Sequence, residues 1–554
     1  MKTTRALALL IAAGLAMTWQ QAQAIDFDIS GMVRQEAAVK VTDKENRMNE
    51  QENLYHGHDS SNALDLFATR VEIEASAKLS EELVAKAKLR AFGDWGLYEN
   101  ASGRDFFGSP TFGGNRGNRL EVSGDQYMVD FPSLYLDFNK GPVWIRAGNQ
   151  QIAWGEALFF RVLDVPNGLD LRRHFILDPA SEEYSDKRVA SPGVRGSVRL
   201  LDQYEVEGFA QMFSPSILPN PGTPYNFIPD QFTVHTSDDA NRDWNFGGRI
   251  QARYFDALSV QAIAVHRTNP DGVFRWRNDT DPLSPFFGLP FSSDPAGGVA
   301  SADEWFKYAG SARLDGVNGV CQSLGAPNGT PGICDSYASA KAYLTGTFGA
   351  FGPLRGHIDR EFKRENVFGL GANYVFSGEP DTLFDQLVMR GEVALTPNKV
   401  FTSPDLNRDY VKKDEYTASL VFEKYHRFSQ SQSWPATFIV AEYMYKSESD
   451  MFGRLLEGMG GDVSHGPTGV DHGFHAFALA FQQPFPNLVW RGDLSILADV
   501  QGGVFVQPGV KWRPSSSWTV DVYANVVLAK QNNKNIQQTF DYANEISARV
   551  AYQF

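Results

Sequence analysis

An all-β fold, an antiparallel transmembrane β-barrel of about sixteen strands (range roughly 14–18), is what this sequence predicts, and three observations carry it. The chain closes on a clean period-two segment. In EISARVAYQF, Ile546, Ala548, Val550, Tyr552 and Phe554 fall on one face, and Glu545, Ser547, Arg549 and Gln553 on the other, where only Ala551 is apolar. That alternation marks a strand with one apolar side, and its ten residues match a tilted bilayer crossing. Strands of similar length recur upstream, longer than the five or six residues usual in a soluble sandwich. Their connections alternate short and long, as the two ends of a membrane barrel require.

Lys2 and Arg5 precede a short apolar run, Ala6 to Met17, and Ala22 to Ala24 supplies small residues for cleavage. Residues 1–24 therefore read as a secretory signal, and 25–554 as a single barrel domain. Removing Lys2 and Arg5 leaves 51 − 2 = 49 basic against 66 acidic residues, a net charge of −17. That excess argues against a nucleic-acid partner. Mean hydropathy is −0.32, which a barrel tolerates because only alternate residues meet lipid.

Hairpins come next. Val71, Ile73, Ala75 and Ala77 alternate with Glu72, Glu74, Ser76 and Lys78; after a tight link, Leu83 to Arg90 returns. PSLYLDF pairs with VWIRAG, GVRGSVRL with YEVEGFAQMF, and GGRIQARYF with LSVQAIAV. LVMRGEVAL, YTASLVFEK, TFIVAEYMYK, GFHAFALAF and WTVDVYANVVLA add further strands. Long insertions interrupt the series. Residues 39–65 are polar, and 96–126 are glycine-rich with Arg104, Arg116 and Arg119. The longest, 267–363, holds the apolar stretch SPFFGLPF and both cysteines, Cys321 and Cys334. In an exported chain these two form one disulfide. An insertion this long needs a surface to pack on, and a barrel offers its mouth or its lumen.

Residues 148–179 break the alternation in a different way. They set Trp154, Phe159 and Phe160 beside Glu156, Arg161, Asp164, Asp170, Arg172 and Arg173. Irregular backbone cannot lie in lipid with its polar groups unpaired, so this segment covers a mouth or enters the lumen. These nine residues are the candidates for a constriction that touches substrate. No nucleophile elbow, phosphate loop or zinc-helix motif occurs, and no metal or cofactor is called for. The histidines of HGH (56–58) and DHGFH (471–475) read as solvated or interfacial side chains.

If the apolar row of each strand meets lipid, the other row lines the lumen. It holds Arg146, Arg195, Arg199, Arg249, Arg390 and Glu392, together with Glu72, Lys86, Lys88, Arg90, Arg253 and Arg549. Such charges suit a wet or internally paired interior. They fit a selective pore wall and equally an ion-pair lattice that braces a wide barrel.

The stretch GNQQIAWGEALFFRVLDVPNGLDLRR, continuing through DPASEEYSDKRVASPGVRG, resembles the outer-membrane family catalogued as domain of unknown function 1302. RAGNQQIAWG (Arg146 to Gly155) also fits an RxGxQ…WG pattern shared by related barrels. The resemblance implies an integral protein of the Gram-negative outer membrane, surrounded by outer-membrane lipid. It further implies a periplasmic lipoprotein-like partner, an inner-membrane transporter of the resistance-nodulation-division type, and movement of hydrophobic compounds or lipids. It assigns no site residues. The expected function is a channel or transporter for hydrophobic or amphipathic small molecules or lipids. The alternative is a plugged barrel that serves as a docking platform for export components. A lipid hydrolase ranks third, since no Ser/His/acid constellation stands out.

Overall fold

A computed structural model describes residues 26–554 apart from 45, 50–63, 96–118, 125, 173–186, 202, 221–222, 224, 238–241, 256, 380–381, 430, 432, 463 and 465. The expected leader at 1–24 lies outside the described residues, as do His56, His58, Arg104, Arg116 and Arg173.

Among the described residues, one sheet of 19 strands carries the fold. Glu121–Gly124 pairs with Tyr127–Lys140 and stands outside the ring. The other 18 strands (19 − 1) run antiparallel, neighbour to neighbour in sequence order, from Asp26–Lys40 to Glu545–Gln553. The last pairs back onto the first, with Arg549 opposite Glu36 and Ala551 opposite Arg34, so the sheet is closed. The count is eighteen rather than about sixteen. Arg364–Val375, Trp490–Asp499 and Gly503–Trp512 are strands whose alternation is blurred. Val367, Leu497 and Phe505 put apolar side chains on their lumenal rows, and glycines dilute both faces.

The closure explains the period of two. Phe27, Ile29 and Val33 point outward from the first strand and are exposed, while Arg34 and Glu36 point inward and are buried. An exposed apolar outer face of this kind is stable against hydrocarbon. Asp26 and Phe554 lie at one end of the barrel, the terminal end, which also carries short turns such as 79–82 and 141–142. Trp490 stacks on Trp512 at 5.5 Å, and Trp518 packs on Tyr552 at 5.1 Å, near that same end. Amphipathic rings favour such an interface.

The connections at the opposite end are longer, and 269–363 is the longest. It is no structureless loop. It forms helices α1 (Ala302–Ser311), α2 (Gly316–Ser323) and α3 (Tyr337–Phe351). Their first turns are capped by Ser301, Asp315 and Ser336, whose side chains accept the orphan N–H groups. A four-stranded sheet joins Val273–Trp276, Phe291–Ser293 and Leu354–Glu361 with Phe232–Thr236 from the preceding connection. Trp276 and Trp305 stack at 5.8 Å in the core between sheet and helices. Cys321 and Cys334 form a disulfide with a Cα–Cα distance of 5.9 Å, which ties α2 to the start of α3. Arg360 lies in this unit, buried and without an ion pair among the described residues. It donates to the carbonyls of Ser216, Pro270 and Asp271, and burial lowers its pKa to about 10.

Candidate functional site

The strand Val143–Gln150 finishes the wall before the irregular segment begins at Gln151. From Gln151 the chain crosses the interior. Among the described residues no strand pairs with 151–168, so its main-chain amides need other acceptors. Lumenal carboxylates supply these. Glu392 accepts from the amides of Glu156 and, at 3.2 Å, Leu163. Glu442 accepts from Leu158 at 3.0 Å and Phe159 at 2.8 Å. Glu207 accepts the indole N–H of Trp154 at 2.7 Å, and Gln261 donates to the Trp154 carbonyl at 3.2 Å. These four acceptors and donors stand on Tyr204–Met212, Leu258–Thr268, Val388–Phe401 and Thr437–Lys446. The segment therefore lies along one arc of the wall.

Packing reinforces the hydrogen bonds. Trp154 is 1 % exposed, edge-on to Phe209 at 5.1 Å. Leu163 joins it against Ile263, Val265, Val367 and Ala394. Phe160, 3 % exposed, packs on Met444, Phe474 and Ala476. The lumenal row of this arc is thus largely apolar, not the uninterrupted polar row that simple alternation suggests. Gly369 and Gly371 make the approach possible. A Cβ at Gly369 would lie 2.3 Å from a Leu163 methyl, and one at Gly371 would lie 3.0 Å from the other.

The charges of the segment pair locally. Glu156 accepts from Asn373 at 2.6 Å and sits 3.9 Å from Arg390, which also pairs with Glu423 at 2.9 Å. Arg161 donates to the carbonyls of Asp164 and Asn167, and Asp164 binds Arg188 at 2.8 Å. Arg172 is fully buried between Glu121, at 2.6 and 2.8 Å, and Asp170, at 2.9 Å. Phe159 is half-buried beside Val421, Val440 and Ala480. The structure thus brings eight of the nine constriction candidates into one ordered strap, and Arg173 lies outside the described residues.

The lumenal wall candidates separate into groups. Arg195 and Arg249 share Glu207, with Arg249 at 2.6 Å. Arg146 forms a two-point pair with Asp137 at 2.7 and 2.8 Å. Arg199 is exposed at the terminal end and makes no ion pair among the described residues. Farther round, Arg34 and Arg549 bind Glu36 at 2.7 and 3.7 Å, while Arg70 and Lys88 bind Glu72. Arg90 grips Asp130 at 2.7 Å. Glu207, Glu442 and Glu121 were not singled out from the sequence. Glu442 had a visible signal, an acid between Val440 and Met444 on an apolar lumenal row.

In the unit at the long-loop end, His235 and His357 share a hydrogen bond of 2.9 Å, and His357 also meets Ser292 at 2.9 Å. Burial, together with Arg277, holds both imidazoles below the usual histidine range.

Several solved structures are similar across nearly the whole chain. Acinetobacter baumannii OccAB3 is 10% identical, with 96% of this chain and 99% of that chain covered and a TM-score of 0.43. Acinetobacter baumannii OccAB2 is 7% identical, with 96% and 98% covered and a TM-score of 0.45. Pseudomonas aeruginosa OpdK, solved with vanillate, is 8% identical, with 96% and 98% covered and a TM-score of 0.42. No curated protein matches the chain. Residues 3–554 match the family described as "Protein of unknown function (DUF1302)", and the chain belongs to that family.

Proposed function

We propose that this protein is an outer-membrane channel that moves small amphipathic molecules through a lumen narrowed by residues 151–172. One observation carries the reading: a closed wall of 18 strands holds a folded-in strap against one arc. Barrels of about 16–18 strands are wide enough for an aqueous path, and a strap along one side constricts it. Trp154 and Phe160 are committed to packing, so they offer little surface to a purely apolar solute. The charged lumenal groups favour solutes with a polar or ionic part. Two measurements test the proposal together. The purified protein in a planar bilayer is expected to show discrete open states. Cells carrying it are expected to take up at least one of steroids, fatty acids, aromatic acids or small anions faster than cells lacking it. Absence of both effects overturns the channel.

A second reading, a sealed barrel that docks periplasmic lipoprotein-like and inner-membrane export components, draws on the buried ion pairs. Arg34, Glu36, Arg70, Arg90 and Asp130 are buried and neutralised within the wall, as a brace would be. It predicts no conductance and co-purification of the barrel with such components.

A further inference from the structure

The cross-strand register gathers an unbalanced set of charges on the terminal half of the lumenal wall. Asp137 faces Arg146, Arg146 faces Arg195, Ser197 faces Glu207, Arg199 faces Glu205 and Glu207 faces Arg249. Arg253 lies two lumenal positions beyond Arg249 on the same strand. These strands thus place five arginines (146, 195, 199, 249, 253) and three carboxylates (137, 205, 207) on one ribbon, a local charge of 5 − 3 = +2. The whole chain carries −15, so the ribbon runs against the overall balance.

The pairing inside the ribbon is incomplete. Asp137 is saturated by Arg146, and Glu207 divides one charge between Arg195 and Arg249 while also accepting from Trp154. Arg199 and Arg253 are exposed and make no ion pair among the described residues, although Glu205 stands on the strand between them. Aromatic rings are interleaved with the cations. The Arg146 guanidinium lies 3.8 Å from the Tyr135 ring centre and 5.1 Å from that of Trp144, and Arg195 lies 5.2 Å from Trp144. Tyr135 and Trp144 are half-buried, which leaves part of each ring accessible.

We infer that this ribbon is a binding site for small organic anions that join a carboxylate or sulfonate to an apolar body. The head group meets Arg195, Arg199 and Arg253, whose planar guanidinium groups suit two-point contact with such oxygens. The apolar body lies along Trp144 and Tyr135, which are already polarised by neighbouring cations. The inference rests on the channel reading for its route of access, and it names the substrate class that reading leaves open.

Benzoate, its neutral analogue benzamide and the cation benzylammonium serve as probes of the full-length protein. Ligand-observed NMR on the detergent-solubilised barrel reads binding, and bilayer conductance on the same preparation reads transport. Benzoate is expected to bind saturably and at least tenfold more tightly than either analogue, and less tightly as salt rises. Arg199→Glu with Arg253→Glu is expected to weaken benzoate at least tenfold, and Arg199→Gln with Arg253→Gln by a smaller factor. Both residues are exposed, and the glutamine variant covers a failure of the glutamate variant to fold. Equal binding of benzoate and benzamide, or undiminished binding in both variants, overturns the site. Benzoate binding without any current and without uptake by cells sustains the site and removes the channel. Current without benzoate preference removes the site and sustains the channel.

Discussion

Two pairs of glutamates on the lumenal wall differ in what they hold. Glu392 and Glu442 are 3 % and 2 % exposed; Glu36 and Glu72 are 5 % and 6 % exposed. All four point inward from barrel strands. Glu36 and Glu72 are neutralised inside the wall, by Arg34 and Arg549 and by Arg70 and Lys88. Glu392 and Glu442 have no ion-pair partner among the described residues and accept main-chain N–H groups of the strap instead. Register explains the difference. Glu36 stands opposite Arg549, which binds it, and Glu72 has Lys88 one lumenal position away across the strand pair and Arg70 two residues back on its own strand. Glu392 stands between Gly371 and Ser419, and Glu442 between Val421 and Ala478. A wall carboxylate with a cation across the strand braces the barrel. One without a cation remains available to an incoming amide.

The largest effect is expected at Arg172. Arg172→Ala leaves Glu121 and Asp170 buried without their cation, which costs about 3–5 kcal/mol. The expected result is faster amide exchange across 151–172 and a larger single-channel conductance. Unchanged exchange at Leu158, Phe159 and Leu163 would show that the two ends of the strap are anchored independently. A smaller effect separates the two arcs. Glu392→Gln with Glu442→Gln keeps the shape of each acceptor but removes its charge, a loss of about 1–3 kcal/mol at each site. Exchange at those three amides should rise while the Glu36 and Glu72 strands stay protected. The smallest effect belongs to an ion pair nearer the surface. Arg491 and Asp493 pair at 2.7 Å and are 19 % and 26 % exposed. Arg491→Gln with Asp493→Asn should shift stability by less than about 1 kcal/mol. Thermal unfolding checks this, and a loss as large as that of Arg172→Ala would erase the distinction between brace and clamp.

Much of the wall was legible in the sequence. Ile546 to Phe554 alternates cleanly because lipid and lumen demand opposite side chains, and a period of two is a local property. Arg364–Val375 was harder to see, since Val367, Gly369 and Gly371 face a packed strap rather than water. The lumenal direction of Glu392 also follows from alternation, but its partner does not. Glu392 meets the amide of Leu163 across 229 residues of chain, and no spacing rule reaches that far. The helices α1 to α3 were missed for a related reason. Their burial comes from strands on either side of them in sequence, Phe232–Thr236 and Leu354–Glu361 among them.

Residue order is enough to specify the closed antiparallel wall, the outward and inward rows, the break in alternation over 148–179, and the pairing of Cys321 with Cys334. Each depends on the chemistry of neighbouring residues or on a small inventory of partners. Three-dimensional folding was needed to set the strap along one arc, to bring wall carboxylates to its amides, and to enclose Arg172 between Glu121 and Asp170. Those outcomes depend on which strands stand side by side once the sheet closes. Closure sets the register across the whole ring, and register places each charge beside a cation, a glycine or an amide.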